Sequence, residues 1–406
     1  MKQLHRWVAL AAGVVTIAAG VMTGPAVFAA TPGVTIAVAC SAPAWAEGTS
    51  YAVGAQVTYA GRLYRARVAH TPPVGAGWNP VAAASLWEDL GACDSTTPPT
   101  TPPTTPPTTT PPPTTAGLAH APYVDMGAWP TPSLPTMVSG GNLKNVTLAF
   151  ITASACKAMW FNAYDPRQGW ARDQIDAVRA RGGDVKISFG GATGIELAQA
   201  CSSVSALQAE YQAVVSAYNL KYIDLDIEGA ATADPTSVAR RSQALAALQR
   251  ANPGLRVSFT LPVLPEGLTA DGLGVVRSAR DAGVSIDLVN VMAMDYYRSG
   301  DYGDLAVAAA NATFAQIKSL YSGLSDAQVW KMVGVTPMLG QNDDGHIYDQ
   351  ADARQLVSFA QGKHLGMLSF WELGRDKNAC TGALYMCTNI AQQPYEFSKI
   401  FANYSG

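Results

Sequence analysis

The stretch Tyr222-Ile223-Asp224-Leu225-Asp226-Ile227-Glu228 alternates acidic and aliphatic side chains without a break. Residues two apart share a face of a β-strand, so the spacing predicts a strand with Asp224, Asp226 and Glu228 on one face. Ile223, Leu225 and Ile227 form the other, an apolar and β-branched face suited to burial. Strand rise alone sets successive acids roughly 6.6–6.8 Å apart. Gathering three carboxyls in one buried row raises the free energy of a fold unless protons, donors or a substrate compensate. Such a row points to chemistry rather than to a solvated edge strand.

Similar strands recur on both sides of this one. Strand-like runs are expected at 122–126, 145–152, 184–189, 222–228, 255–262, 286–294, 331–337 and 365–371. Helical runs fall between them, at 171–181, 205–219, 237–251, 305–320 and 349–361, with 395–404 closing the set. Eight strands with intervening helices predict an α/β fold, a (β/α)8 TIM barrel over residues 118–406. No Gly-x-Gly-x-x-Gly follows the first strand, which argues against a dinucleotide fold. The acidic strand is then the fourth, and Glu228 stands at its C-terminal end, where barrels of this kind place their active sites.

The remaining sequence divides readily. Residues 94–117, DSTTPPTTPPTTPPTTTPPPTTAG, hold nothing apolar to bury before Ala116 and read as an extended linker. At about 3.1 Å per residue it could separate its neighbours by up to ~70 Å. Before it lies a small aromatic-rich module, residues 38–93, in which 56–59 and 63–66 flank a turn and read as a β-hairpin. Residues 1–30 read as a signal peptide: Lys2, His5 and Arg6, an uncharged apolar run from Val8 to Met22, then small residues around Ala29 and Ala30. A secreted, extracellular protein is expected. Six cysteines in an exported chain suggest three disulfides, and their positions suggest Cys40–Cys93, Cys156–Cys201 and Cys380–Cys387.

A net charge of −3 with 14% charged residues suggests neither nucleic acid nor an anionic membrane as partner. The five histidines show no ligand spacing, so no metal is expected, and nothing implies a cofactor. A monomer is expected. No Gly-x-Ser-x-Gly elbow appears.

Two carboxylates on opposite sides of a sugar ring are the usual glycosidase arrangement. Here the conspicuous acids share one strand face and approach a ring from one side. A substrate that supplies its own nucleophile, a 2-acetamido carbonyl, resolves this. Glu228 would be the general acid, Asp226 would orient the acetamido group, and Asp224 would share a proton with Asp226.

The segment 223–228 resembles the D-x-x-D-x-D-x-E signature of the family 18 glycoside hydrolases, the chitinase family, and Ser188-Phe189-Gly190-Gly191 resembles that family's S-x-G-G motif. Trp371 is similar to the tryptophan floor beneath the sugar at the scissile bond. Two positions depart from the pattern. The family's first Asp falls on Lys221, and the tyrosine of its sixth-strand M-x-Y-D falls on Met294 in Met292-Ala293-Met294-Asp295. The resemblance implies substrate contacts for Asp295 and Met292, support for the acids from Ser188, and Tyr296 as the replacement tyrosine. From spacing, Tyr123 and Asp125 are expected to line the barrel mouth; Trp129, Gln341 and Asn342 are further candidates for substrate contact. The small module resembles a family 5/12 carbohydrate-binding module without its tandem tryptophan pair. Trp78 and Trp45 are its expected exposed platform, with Trp87 and Tyr64 in its core.

The expected function is a secreted, retaining, substrate-assisted chitinase acting on chitin or N-acetylglucosamine oligosaccharides. The short stretch 338–364 leaves no room for a wall beside the cleft, which favours endo action. An endo-β-N-acetylglucosaminidase acting on glycoprotein glycans and a catalytically inactive carbohydrate-binding protein are the alternatives.

Overall fold

The computed structural model describes residues 42–47, 49–72, 79–81, 83, 85–93 and 117–406. The expected leader and nearly all of the linker lie outside them. The chain divides into two compact units, one within residues 1–102 and one within 103–406.

The larger unit is a (β/α)8 barrel. Its eight strands are Tyr123–Asp125, Val146–Ala153, Val185–Gly190, Tyr222–Asp226, Arg256–Leu264, Ile286–Ala293, Val333–Pro337 and Met367–Leu368, each parallel to the next. A parallel bridge from His120 to Leu368 closes the ring, and Tyr123 N donates to Phe370 O (3.1 Å) along the same seam. Every one of these strands overlaps a run expected from alternation.

Helices follow the strands because local signals start them. Ser203, Asp234, Thr269, Asp301 and Asp349 each accept a backbone N–H of the first helical turn with their side chains, opening Val204–Tyr218, Pro235–Ala251, Ala270–Asp281, Tyr302–Leu320 and Gln350–Lys363. Ala270–Asp281 and Leu134–Gly140 are helices absent from the sequence expectation. Ile223, Leu225 and Ile227 are fully buried with Leu207, Tyr211, Val214 and Leu245 in one core cluster. That packing holds the acid face toward the barrel interior.

The interior is unusually polar for a barrel. Ser188, Asp224, Ser258, Thr260, Asn290 and Thr336 are all buried there and hydrogen-bonded. Two disulfides, Cys156–Cys201 and Cys380–Cys387, form as expected, the first tying together the loops after the second and third strands. Cys40 of the third expected pair lies outside the described residues.

The smaller unit is a three-stranded antiparallel sheet of Gln56–Tyr59, Arg62–Ala66 and Trp87–Ala92. Ala60 and Gly61 both have positive φ (49° and 73°), the conformation a tight two-residue hairpin turn demands. Tyr64 and Trp87 are buried with Tyr51, Val57 and Ala66, as expected. Trp45 differs from its expected role. It is half-buried, packed edge-on against Tyr59 at 5.5 Å, because so small a module draws its core from its aromatics. Trp78 lies outside the described residues.

Candidate active site

Four carboxyl side chains, Asp226, Glu228, Asp295 and Asp343, line a cleft of about 250 Å³ at the C-terminal end of the barrel strands. Tyr123, Phe150 and Trp371 form its aromatic wall, and Met292, Met294 and Met338 its apolar one. Trp371 stacks on Phe150 (5.7 Å, 16° between planes) and tilts against Tyr123 at 5.9 Å. A sugar ring can lie on such a surface.

The acid row differs from one end to the other. Asp224, 1% exposed, accepts hydrogen bonds from Ser188 Oγ (2.8 Å), Tyr123 OH (3.0 Å), Thr260 Oγ1 (3.0 Å) and Ser258 Oγ. Asp226, 4% exposed, has an Oδ1 with no protein partner. Burial pushes its carboxyl well above the ordinary aspartate range, reinforced by Glu228 and then Asp224. Glu228 is pushed up to about 7, first by burial and then by the charge of Asp295. A carboxyl that keeps its proton to neutral pH can deliver it to a leaving group.

The two glycines of Ser188-Phe189-Gly190-Gly191 have a steric purpose. A Cβ on Gly190 would stand 2.0 Å from Asp226 O, and one on Gly191 would meet the Phe150 ring at 2.6 Å. Gly191 N donates to Asp226 O at 3.1 Å. The third strand therefore approaches the acid strand closely where Asp226 leaves it.

Several expected residues fall elsewhere. Tyr296 is 4% exposed and packs against Tyr302 at 5.3 Å, away from the cleft lining. The reason is the backbone: Met294 N bonds Met292 O and Asp295 has φ of 49°, so the alternation of the sixth strand ends there. Met294 and Asp295 both reach the cleft, and Tyr296 turns into the core. Asn342 is fully buried and structural, donating to Met338 O and Gly340 O and accepting Asp295 N. Gln341 accepts from Asn389 instead of facing the cleft. Their neighbour Asp343 takes the position in the cleft. Asp125 accepts Gly127 N outside the lining. Trp129 is 84% exposed. Lys221 is exposed and pairs with Asp184 at 3.5 Å, so this departure from the motif falls outside the barrel interior. Among the described residues no cluster of His, Cys, Asp and Glu could hold a metal ion.

Sequence reasoning missed Asp343, Phe150, Met338 and the buried Lys186. The polar run 341–345 after the seventh strand was the available signal for Asp343. A lone lysine in Val185-Lys186-Ile187 offered none for a cation inside the barrel.

Carbohydrate-binding module family 5/12 matches residues 44–88. Over 307 residues the chain is 35% identical to a probable bifunctional chitinase/lysozyme of Escherichia coli, covering 70% of this chain and 34% of that protein. Over 280 residues it is 35% identical to Endochitinase 11 of Metarhizium anisopliae, covering 65% of this chain and 54% of that protein. The chain thus spans only about a third and about half of those two relatives. The crystal structure of the catalytic domain of a hyperthermophilic chitinase from Pyrococcus furiosus superposes with a TM-score of 0.66 at 33% identity, covering 71% of this chain and 95% of that one. With one residue in three shared across nearly the whole of that catalytic domain, and with the acid row and glycine motif in place, the chain belongs to the family 18 glycoside hydrolases, the chitinase family, and carries a family 5/12 carbohydrate-binding module.

Proposed function

We propose that the protein is an exported chitinase that hydrolyses β-1,4 linkages between N-acetylglucosamine units with retention, through the substrate's own acetamido group. The observation that carries this reading is the arrangement of the row: Asp224 within four hydroxyl donors, Asp226 with an unpartnered Oδ1, and Glu228 in the cleft. Glu228, holding its proton to about pH 7, donates it to the glycosidic oxygen. The acetamido carbonyl oxygen attacks C1 as the C1–oxygen bond breaks, giving a cyclic oxazolinium ion. Asp226 stands beside that group and shares its proton with Asp224, so negative charge becomes available as positive charge develops. Water then opens the ring at C1, and Glu228 takes back a proton from it. Trp371 supports the sugar at this position. Met294, where the family pattern has a tyrosine, leaves the acetamido carbonyl without that hydroxyl.

The family relationship and the matched binding module support an insoluble polymer as substrate. Residues 38–93 hold the polymer, 94–117 tether them, and 118–406 cut it. The short segment 338–364 leaves the cleft open along one side, which supports endo action. Two disulfides fit an oxidising compartment, and residues 1–30 direct export. No helix among the described residues is long and apolar enough to cross a membrane.

Digestion of N-acetylglucosamine hexamer with detection of product anomers tests activity, cleavage position and stereochemistry together. The expected products are internal cleavage fragments that emerge as the β-anomer. Initial release of the α-anomer, or rapid cleavage of a fully deacetylated polymer, would overturn substrate assistance. Release of glycans from a high-mannose glycoprotein without action on chitin would make the protein an endo-β-N-acetylglucosaminidase instead.

A further inference from the structure

The barrel interior holds a lysine that the reaction as described does not use; burial lowers its proton affinity, and Asp224 and then Asp287 act against that. Lys186, on the third strand one layer below Ser188, is 3% exposed. Its Nζ donates to Ser258 Oγ at 3.1 Å and lies 3.5 Å from Met367 Sδ. Ser258 Oγ in turn donates to Asp224 Oδ1. A buried ammonium is costly unless an anion answers it. The anions and cations that face it are Asp224 on the fourth strand, Asp287 at the start of the sixth, and Arg256 at the start of the fifth. Arg256 is itself paired with Asp287. Asp224 is therefore the anion left to answer Lys186, and Ser258 is the link. Asp224 in turn faces Asp226 and the Tyr123 hydroxyl, and Asp226 faces Glu228, which faces Asp295.

We propose that Lys186 is a positioning residue for the reaction, acting through Ser258 to hold Asp224 as the anionic member of the row and so to keep the shared proton on Asp226. The inference deepens the chitinase reading and rests on it for its kinetic readout. Five groups converge on Asp224: four hydroxyls donate to it directly, and the ammonium stands behind one of them. None of them hydrogen-bonds Asp226 Oδ1. Of two neighbouring carboxyls, the one so surrounded keeps the charge and the orphaned one keeps the proton. The proton's place matters because it lies beneath the acetamido group.

Removing a cation makes every anion in the row harder to form, so the sign of the effect is fixed. Lys186→Met should move the acidic limb of the kcat/KM profile on N-acetylglucosamine hexamer to higher pH by about one unit. The basic limb, set by the more distant Glu228, should move the same way by less. Lys186→Arg, which keeps the charge, should retain the wild-type limbs. Ser258→Ala keeps the lysine and breaks the link, and should give a smaller shift in the same direction. A merely structural role would lower kcat in Lys186→Met and leave both limbs in place. That result overturns the proposal, as does a Lys186→Arg profile displaced as far as that of Lys186→Met. Should Lys186→Met fail to fold, Lys186→Gln decides: an upward shift supports the proposal and an unmoved profile refutes it. Infrared titration of the protonated-carboxyl band in the same variants reads the row without turnover. An inactive wild type whose carboxyl band shifts upward in Lys186→Met or Lys186→Gln would therefore sink the chitinase reading and leave this one standing. An unshifted band would sink this one alone.

Discussion

The base and the mouth of the barrel interior hold the same kind of group and treat it in opposite ways. At the base every charge is answered. Arg256 pairs with Asp287, Lys186 reaches Ser258, and Asp224 sits within four hydroxyl donors. At the mouth Asp226, Glu228, Asp295 and Asp343 share a cleft with no Lys or Arg in its lining. The base satisfies its charges. The mouth leaves Asp226 Oδ1 without a partner and raises the proton affinity of Asp226, Glu228 and Asp295. One strand spans both regimes, and the change falls between Asp224 and Asp226.

The sharpest way to break this contrast is Glu228→Gln. Loss of a general acid costs typically 10²–10⁴-fold, and we expect kcat on soluble hexamer to fall by about 10³ with KM changed only a few-fold. A loss under tenfold in steady-state kinetics would mean that the mouth stores nothing useful. Next comes the pair Asp224→Asn and Asp226→Asn, compared by urea denaturation at pH 7. Asparagine at 224 weakens an acceptor of four hydroxyls and should destabilise by roughly 2–3 kcal/mol. Asparagine at 226 relieves a buried acid with no partner and should leave stability unchanged or raised. Equal losses would erase the distinction between the two positions. Trp371→Ala removes the stacking surface and should raise KM about tenfold, roughly 1.4 kcal/mol, with a smaller effect on kcat.

The smallest effect concerns pH. The Glu228 carboxyl rises from 4.5 unfolded to about 7 folded, so the folded state binds its proton more tightly. The stability it contributes is fully present below about 4.5 and is lost as pH rises through about 7. Glu228→Gln lacks this dependence. Its Tm advantage over the wild type should widen between pH 5 and pH 8 by on the order of a few degrees. A constant gap across that range would argue that Glu228 titrates normally.

Much of this contrast was legible before any coordinates. The period of two in residues 222–228, with aliphatic residues opposite the acids, announced both the strand and the row. The glycines at 190 and 191 announced a close approach. What escaped reading depended on departures from periodicity. The sixth strand looks as though alternation should carry it on to Tyr296, but positive φ at Asp295 sends that tyrosine into the core. Asp343 lies in a loop, where no period says which of four polar neighbours turns inward. Lys186 was hidden by its type: lysine in a strand ordinarily marks solvent, and only the hydroxyl at 258 and the carboxylate at 224, both far away in the chain, make a buried one tolerable. Trp45 was overrated as a free surface because a module this small has few other side chains to bury.

The seam between the first and last barrel strands has a kinetic consequence. His120 Nδ1 and Leu368 O, 3.0 Å apart, belong to residues 248 positions apart in sequence. Contacts so distant along the chain slow folding, because loop-closure entropy is lost before they contribute anything. Tyr123, a donor to Asp224, comes from one side of that seam, and Trp371, part of the cleft's aromatic wall, from the other. The two meet at 5.9 Å only when the ring is shut. The acid row's donor and the cleft's aromatic wall are therefore brought together by closure of the ring.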